Sequence, residues 1–201
     1  DVYKRQSTDV LVTVSNIIQD VKENKDEACL KYTYEFDHVS LDSMEVSQEE
    51  WDAQILKCDD SFVEAMKLAK KNIEDFHKLQ KQNGYLLQKE KGIYLGQRVL
   101  PLEAVGIYVP GGRAQYPSSV LMNALPAKIA GVKNVVMVTP PDKNGTIHPN
   151  IAYAAKLAGV DKIYKIGGAQ AIAALAYGTQ TIDRVDKIVG PGNIYVAAAK
   201  K

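Results

Sequence analysis

Two glycine-bearing joints between Ile163 and Lys200 constrain this chain more than any other feature. Gly167-Gly168-Ala169-Gln170 follows the apolar run Ile163–Ile166, and Gly190-Pro191-Gly192-Asn193 follows Lys187–Val189. Each joint leads into an Ala-rich helical pattern, Ala169–Tyr177 and Ile194–Lys200. An apolar run entering a glycine turn and a helix leaving it is a strand-to-helix unit. Glycine permits the sharp turn and the close approach of a ligand. The helix start presents free N–H groups and a partial positive charge, which suit an anion. Two such joints so near each other point to a sheet edge that binds a phosphate-bearing cofactor.

Upstream of these joints the composition divides near residue 100. Three of the 14 glycines precede it and 11 follow. The first part is charged and helical. Val10, Val14, Ile17 and Val21 recur at helical steps over residues 8–24, Lys25-Asp26 breaks the pattern, and Asp26 is a candidate cap for a second helix through Tyr34. The opening DVYKRQ has no usable periodicity. Ser47 and Glu50 form a capping box ahead of Trp51, Ile55 and Leu56. Phe62, Ala65, Met66, Ala69, Ile73 and Phe76 mark one face of a longer helix that should end at Asn83-Gly84. Tyr85–Lys89 and Ile93–Leu100 read as a hairpin across Lys91-Gly92.

From Ala104 strands alternate with helices. Val105–Val109 precedes a helix capped by Ser118 or Ser119, carrying Leu121, Leu125 and Ile129, with a kink predicted at Pro126 and an end at Gly131. Val135–Val138 precedes a helix over Ile151–Leu157, with residues 143–150 expected as a surface loop. The two glycine joints complete the series. The fold class is therefore α/β: an N-terminal helical region with a hairpin (1–103), followed by a Rossmann-like, doubly wound parallel sheet (104–201). The chain begins without Met and stops inside a helical pattern, so a fragment is expected.

A hydrophobic fraction of 46% supports a packed core, and a net charge of +1 argues against nucleic acid as the main partner. No apolar run reaches the roughly 20 residues of a membrane helix. Cys29 and Cys58 follow no metal or redox spacing and read as reduced, half-buried thiols. His38, His77 and His148 have no partner spacing and read as surface residues.

In a doubly wound sheet, ligands sit outside the carboxyl ends of the strands. Three loops fall on that edge: Tyr108-Val109-Pro110-Gly111-Gly112, Gly167-Gly168-Ala169-Gln170 and Gly190-Pro191-Gly192-Asn193. No G-x-G-x-x-G is present, because Tyr195 stands where the third small residue belongs, and no Lys-Ser/Thr pair completes a Walker A. A dinucleotide here would be held by backbone N–H groups and a few polar side chains. Tyr108 offers a flat ring and a hydroxyl, although a core aromatic at a strand end would look the same. Gln170 and Asn193 offer amides for ribose hydroxyls or phosphate oxygens, and Asn193 suits a plain helix cap equally well. Arg113 could meet an anion or lie solvated. No catalytic constellation is visible.

GIYVPGG (106–112), PAKIAG (126–131), GGAQAIAALAYG (167–178) and VDKIVGPGN (185–193) resemble the histidinol dehydrogenase family, and the resemblance extends through KNIEDFH (71–77) to about Thr8. It implies a cytoplasmic, homodimeric, zinc-dependent enzyme. Such enzymes oxidise L-histidinol to L-histidine through L-histidinaldehyde with two NAD, with no membrane or nucleic-acid partner. The family's NAD-binding tyrosine, glutamine and asparagine match Tyr108, Gln170 and Asn193. Its zinc ligands and Glu-His acid/base pair are expected downstream of Lys201, so no catalytic or metal residue is assigned here; the family also completes the cofactor domain there, so the resemblance implies a sheet incomplete at the C-terminus. A non-catalytic nucleotide-binding or partner-binding module is the alternative, and a dehydrogenase for another amino alcohol is a third reading.

Overall fold

The computed structural model describes residues 2–111 and 115–201, with side chains from Asp9 onward. Its centre is a parallel sheet of β3 (Ala104–Tyr108), β4 (Asn134–Thr139), β5 (Lys162–Lys165) and β6 (Lys187–Val189), in the order β5-β4-β3-β6. The strands alternate strictly. Val105, Ile107, Val135, Met137 and Ile163 enter one core, whereas Tyr108, Val136, Val138 and Tyr164 enter the other. Side chains on a strand point to opposite faces in turn, so a sheet with apolar residues on both faces must be covered on both.

The first face is covered by α4 (Pro117–Ala130) and α5 (Pro149–Ala158), with Trp51 of α2 (Gln48–Ile55) and Met66 of α3 (Asp60–Lys78) in the same core. Trp51 Nε1 donates to the Ala152 carbonyl at 2.8 Å, which satisfies the one polar atom of a buried ring. The second face is covered by α6 (Gly168–Tyr177), α7 (Ile194–Ala199) and α1 (Val2–Asp37). Gly106 lets α6 come close, since a Cβ there would stand 2.8 Å from Leu175 Cδ1. The outer edge of β5 is closed by a short segment in which Val46 N–H donates to Ile163 O and Lys165 N–H to Met44 O, which covers ladder groups otherwise open to another chain.

Several boundaries differ from the sequence expectation. α1 begins at Val2, ahead of the predicted start, and its second arm continues to Asp37. The expected break is present as a single residue, Lys25, at φ 54° and ψ −124°. That conformation is held from outside: Lys25 Nζ donates to Gly178 O, and the Asp26 carboxylate accepts from the Thr181 hydroxyl at 2.6 Å. The Ser47 capping box is only half made. Ser47 Oγ accepts from Glu50 N–H, but the Glu50 side chain turns to Lys165 at 2.8 Å. α3 stops at Lys78 because its end tightens into three-residue turns, Gln80 N–H to His77 O and Lys81 N–H to Lys78 O.

α4 starts at Pro117, with Tyr116 as an N-cap that makes no side-chain bond, so Ser118 and Ser119 are not caps. A proline fits the first helical position, whose N–H needs no partner. α4 then runs as one helix through Pro126 to the left-handed Gly131. The 143–150 region is more than a surface loop: Ile147 is buried, His148 Nδ1 accepts the Asn150 N–H as the cap of α5, and α5 starts at Pro149.

The hairpin β1 (Tyr85–Glu90) and β2 (Ile93–Gln97) is exposed along both strands. β2 ends at Gln97, not Leu100, because Gln97 pairs with Tyr85, the first residue of β1. No helix of the described residues is long and apolar enough to cross a membrane.

The two arms of α1 are clamped by Asp20. Its carboxylate accepts from Asn24 Nδ2 at 2.6 Å, from Lys31 Nζ at 2.7 Å and from the Tyr32 hydroxyl at 2.9 Å. These bonds, Lys31 first, lower the carboxyl to about 2. A carboxyl lowered on folding contributes stability above its unfolded value near 4 and loses it as pH falls through the folded value. The contribution is small, because Lys31 is 58% exposed and solvent screens the pair. The melting-temperature difference between the full-length wild-type protein and D20N should therefore be present at pH 7 and shrink as pH falls from about 4 through about 2. A difference that grows on acidification would refute the clamp.

Candidate functional site

The strand order reverses at β3. The chain leaves β3 through α4 and α5 on one face, then crosses by α6 on the other face to lay β6 on the opposite side of β3. The two connections part above the carboxyl ends of β3 and β6, which opens a crevice there. A cavity of about 600 Å³ occupies it, within the size range of small-molecule sites.

Tyr108, Gln170 and Asn193 all line this cavity. Tyr108 ends β3 and is 4% exposed. Its hydroxyl oxygen accepts the Gly168 N–H at 3.1 Å. Burial raises its pKa above the usual phenol value, with a smaller contribution from Asp37, so the phenol keeps its proton and can donate it. Gln170 lies in the first turn of α6 and is 1% exposed, yet neither its amide oxygen nor its amide nitrogen has a hydrogen-bond partner. The side chain folds back over Gly168, where a Cβ would collide with Gln170 Oε1 and where φ is +63°. Asn193 is exposed and caps α7, with Oδ1 accepting the Val196 N–H at 3.0 Å. The plain cap reading is thus realised for its oxygen, while its amide nitrogen stays outside that bond.

Gly111, Gly167 and Gly190 serve packing between the loops. Pro140, after β4, is wedged between Gly111 and Gly167, and a Cβ on Gly111 would stand 3.2 Å from its ring. Gly190, at φ +107°, lies against the Tyr108 backbone, where a Cβ would overlap the Tyr108 carbonyl. The joints are therefore tight for a structural reason that also shapes the crevice. Gly112 and Arg113, the remaining candidates in the first loop, lie outside the described residues.

The wall opposite the sheet was not foreseen. Thr13, Ile17, Phe36 and Asp37 of α1 line the cavity, as do Pro140 and Pro141. Residues 8–24 read only as an amphipathic helix, and no local pattern separates Asp37 from other charged helix ends.

The remaining candidates lie elsewhere. Cys29 is fully buried, not half-buried as expected, and burial pushes its thiol up to about 12, so it is a core residue without nucleophilic character. His77 Nδ1 meets Gln80 Oε1 at 2.6 Å, and His38 is exposed at the end of α1. Among the described residues, no group of three or more His, Cys, Asp or Glu side chains could hold a metal ion.

The architecture is that of a doubly wound α/β protein whose cavity sits at the switch point of the sheet, with an N-terminal helix as its outer wall. The sequence model of histidinol dehydrogenase matches residues 2–201. Histidinol dehydrogenase of Clostridium acetobutylicum is 58% identical over 197 residues, which is 98% of this chain and 46% of that protein. The Streptococcus mutans protein of the same name is 54% identical over 98% of this chain and 46% of its own length. The crystal structure of histidinol dehydrogenase from Elizabethkingia anophelis matches at a TM-score of 0.89 and 45% identity, over 94% of this chain and 43% of that one. The chain belongs to the histidinol dehydrogenase family, and it spans somewhat less than half the length of these relatives.

Gly190 and Gly92 separate packing from backbone strain. Both have positive φ, but a Cβ on Gly92 meets nothing within 4 Å. Gly190→Ala should cost about 2–4 kcal/mol through strain and overlap, and Gly92→Ala about 1 kcal/mol through strain alone. Denaturant melts of the full-length variants check this, and equal losses would refute the Gly190–Tyr108 contact.

Proposed function

We propose that the full-length protein oxidises L-histidinol to L-histidine through L-histidinaldehyde, the last steps of histidine biosynthesis, and that residues 104–201 supply the crevice that binds NAD. Residues 1–103 supply covering helices and the α1 wall. Family membership supports the reaction. The observation that carries the cofactor site is the Gln170 amide, buried at a helix start with both polar atoms unpaired. An unsatisfied buried polar group costs about 1–3 kcal/mol, which a ligand with hydroxyl and phosphate groups returns on binding.

In this reading the Tyr108 hydroxyl donates to a ribose or phosphate oxygen while the Gly168 N–H holds it in place. The Gln170 amide donates to one oxygen and accepts from a hydroxyl. The Asn193 amide nitrogen donates from the third loop. The β3, α6 and β6–α7 elements fix these groups and exclude water from the inner end of the crevice. Bound NAD supplies the hydride acceptor. Over the whole reaction, one L-histidinol, two NAD⁺ and one water give L-histidine, two NADH and three protons. The described residues offer no zinc ligand set. We assign the zinc ligands and the Glu-His acid/base pair to the part of the family's length that this chain does not span, and derive no step through the metal. We also propose a cytoplasmic homodimer for the full-length protein.

Gln170→Leu in the full-length protein tests the assignment. Replacing an unpaired buried amide by an apolar group of similar size should leave the melting temperature unchanged or raised. Loss of one or two ligand bonds should weaken NAD binding about 10- to 100-fold by calorimetric titration. Unaltered NAD affinity would remove the site. The 201-residue chain alone should not oxidise histidinol, and turnover by it would overturn the placement of catalysis outside these residues.

A further inference from the structure

We propose that Asp37 is a coenzyme-selecting residue: its carboxylate accepts hydrogen bonds from the vicinal hydroxyls of a ribose and rejects a ribose 2′-phosphate. The inference rests on the reading of the cavity as a dinucleotide site and adds a residue and a specificity to it.

Four observations carry it. Asp37 is the last residue of α1 and lines the cavity together with Tyr108 and Gln170. It is half-buried, yet its carboxylate has no hydrogen-bond or ion-pair partner among the described residues. It ends a helix with no basic residue in its last turn, where the helix dipole disfavours a negative charge, so neither local structure nor packing accounts for it. Finally, the described residues that line the cavity include no Lys or Arg.

A carboxylate is an acceptor with two oxygens. It needs donors, and none of the described residues donates to it, so a ligand in the cavity is left to bring them. Adjacent ribose hydroxyls supply two donors at matching spacing, and acidic residues fill this role in other doubly wound dinucleotide sites. A 2′-phosphate would instead place two negative charges against an unpaired carboxylate, on a wall whose described lining has no Lys or Arg. Burial raises the Asp37 carboxyl above its usual value, and the neighbouring His38 acts the other way. Its field also reaches the Tyr108 hydroxyl, which sets the two residues on a common space. Asp37 differs from the acidic residue of the usual dinucleotide fold in its source, since it comes from the N-terminal wall helix and not from a strand of the sheet.

The test uses the full-length protein with Asp37→Asn and Asp37→Ser, titrated with NAD and with NADP, and with the KM for L-histidinol read at saturating NAD. The wild-type protein should prefer NAD by at least about 100-fold. Each variant should narrow that preference about 10-fold or more, by weaker NAD binding, stronger NADP binding or both, at unchanged histidinol KM and with the melting temperature retained. A preference left intact in two folded variants would overturn the proposal while NAD binding itself stands. A raised histidinol KM with unchanged NAD affinity would also overturn it, and would make Asp37 a partner for the substrate ammonium. A wild-type protein that binds neither dinucleotide would overturn both this inference and the cavity assignment beneath it.

Discussion

The strict alternation of apolar side chains through β3, β4 and β5 governs the molecule. Val105 and Ile107 go to one core and Tyr108 to the other, and β4 and β5 repeat the division. A sheet with two apolar faces cannot stop at the helices of its own crossovers if these leave part of a face bare. α4 and α5 take one face with α2 and α3 in support, whereas α6 and the short α7 take the other. The long α1 completes that second cover. Because α1 lies against α6 and α7, it also runs past the carboxyl ends of β3 and β6. The same requirement that buries Val14, Ile17 and Val21 thus turns an open switch-point crevice into a walled cavity.

The inner end of that cavity is set by contacts between loops. Gly111, Pro140 and Gly167 pack together, and Gly190 rests on the Tyr108 backbone. With these loops locked, the Tyr108 hydroxyl lies at the Gly168 N–H and Gln170 folds over the same turn. Tyr108 and Gln170, far apart in sequence, are thereby brought onto one wall of the cavity.

The sheet, its four strands and its crossover helices were legible in the sequence because each strand is a short β-branched run bounded by glycine or proline, and each helix carries an apolar stripe. The three edge loops were legible for the same reason. What was not legible depended on tertiary partners. Glu50 looked like half of a capping box until Lys165, more than a hundred residues away, claimed its carboxylate. Ser118 and Ser119 looked like caps, but Pro117 fitted the first helical position better. Ile147 looked like part of a surface loop and is core. The α1 wall was hidden most completely, since the residues of a helix that meet a distant cleft carry no local signature of it.

The distribution of unsatisfied polar groups separates the cavity from the rest of the molecule. Several buried or half-buried polar atoms elsewhere find partners: the Trp51 nitrogen at Ala152, the Thr33 hydroxyl at Cys29, and the Asp26 carboxylate at Thr181. Among the described residues only three buried side-chain atoms lack one. Glu50 Oε1 belongs to a carboxylate whose other oxygen is paired with Lys165, and the other two are the polar atoms of Gln170. The Asp37 carboxylate, on the facing wall, is the second unmatched group at the same cavity. A fully buried amide with no partner, facing an unpaired carboxylate across one crevice, breaks local rules where a ligand would mend them. The amide can both donate and accept, and the carboxylate only accepts. A ligand that fits both must carry hydroxyl donors toward Asp37 and mixed oxygen chemistry toward Gln170. A nucleotide sugar has that polarity, and a simple anion does not.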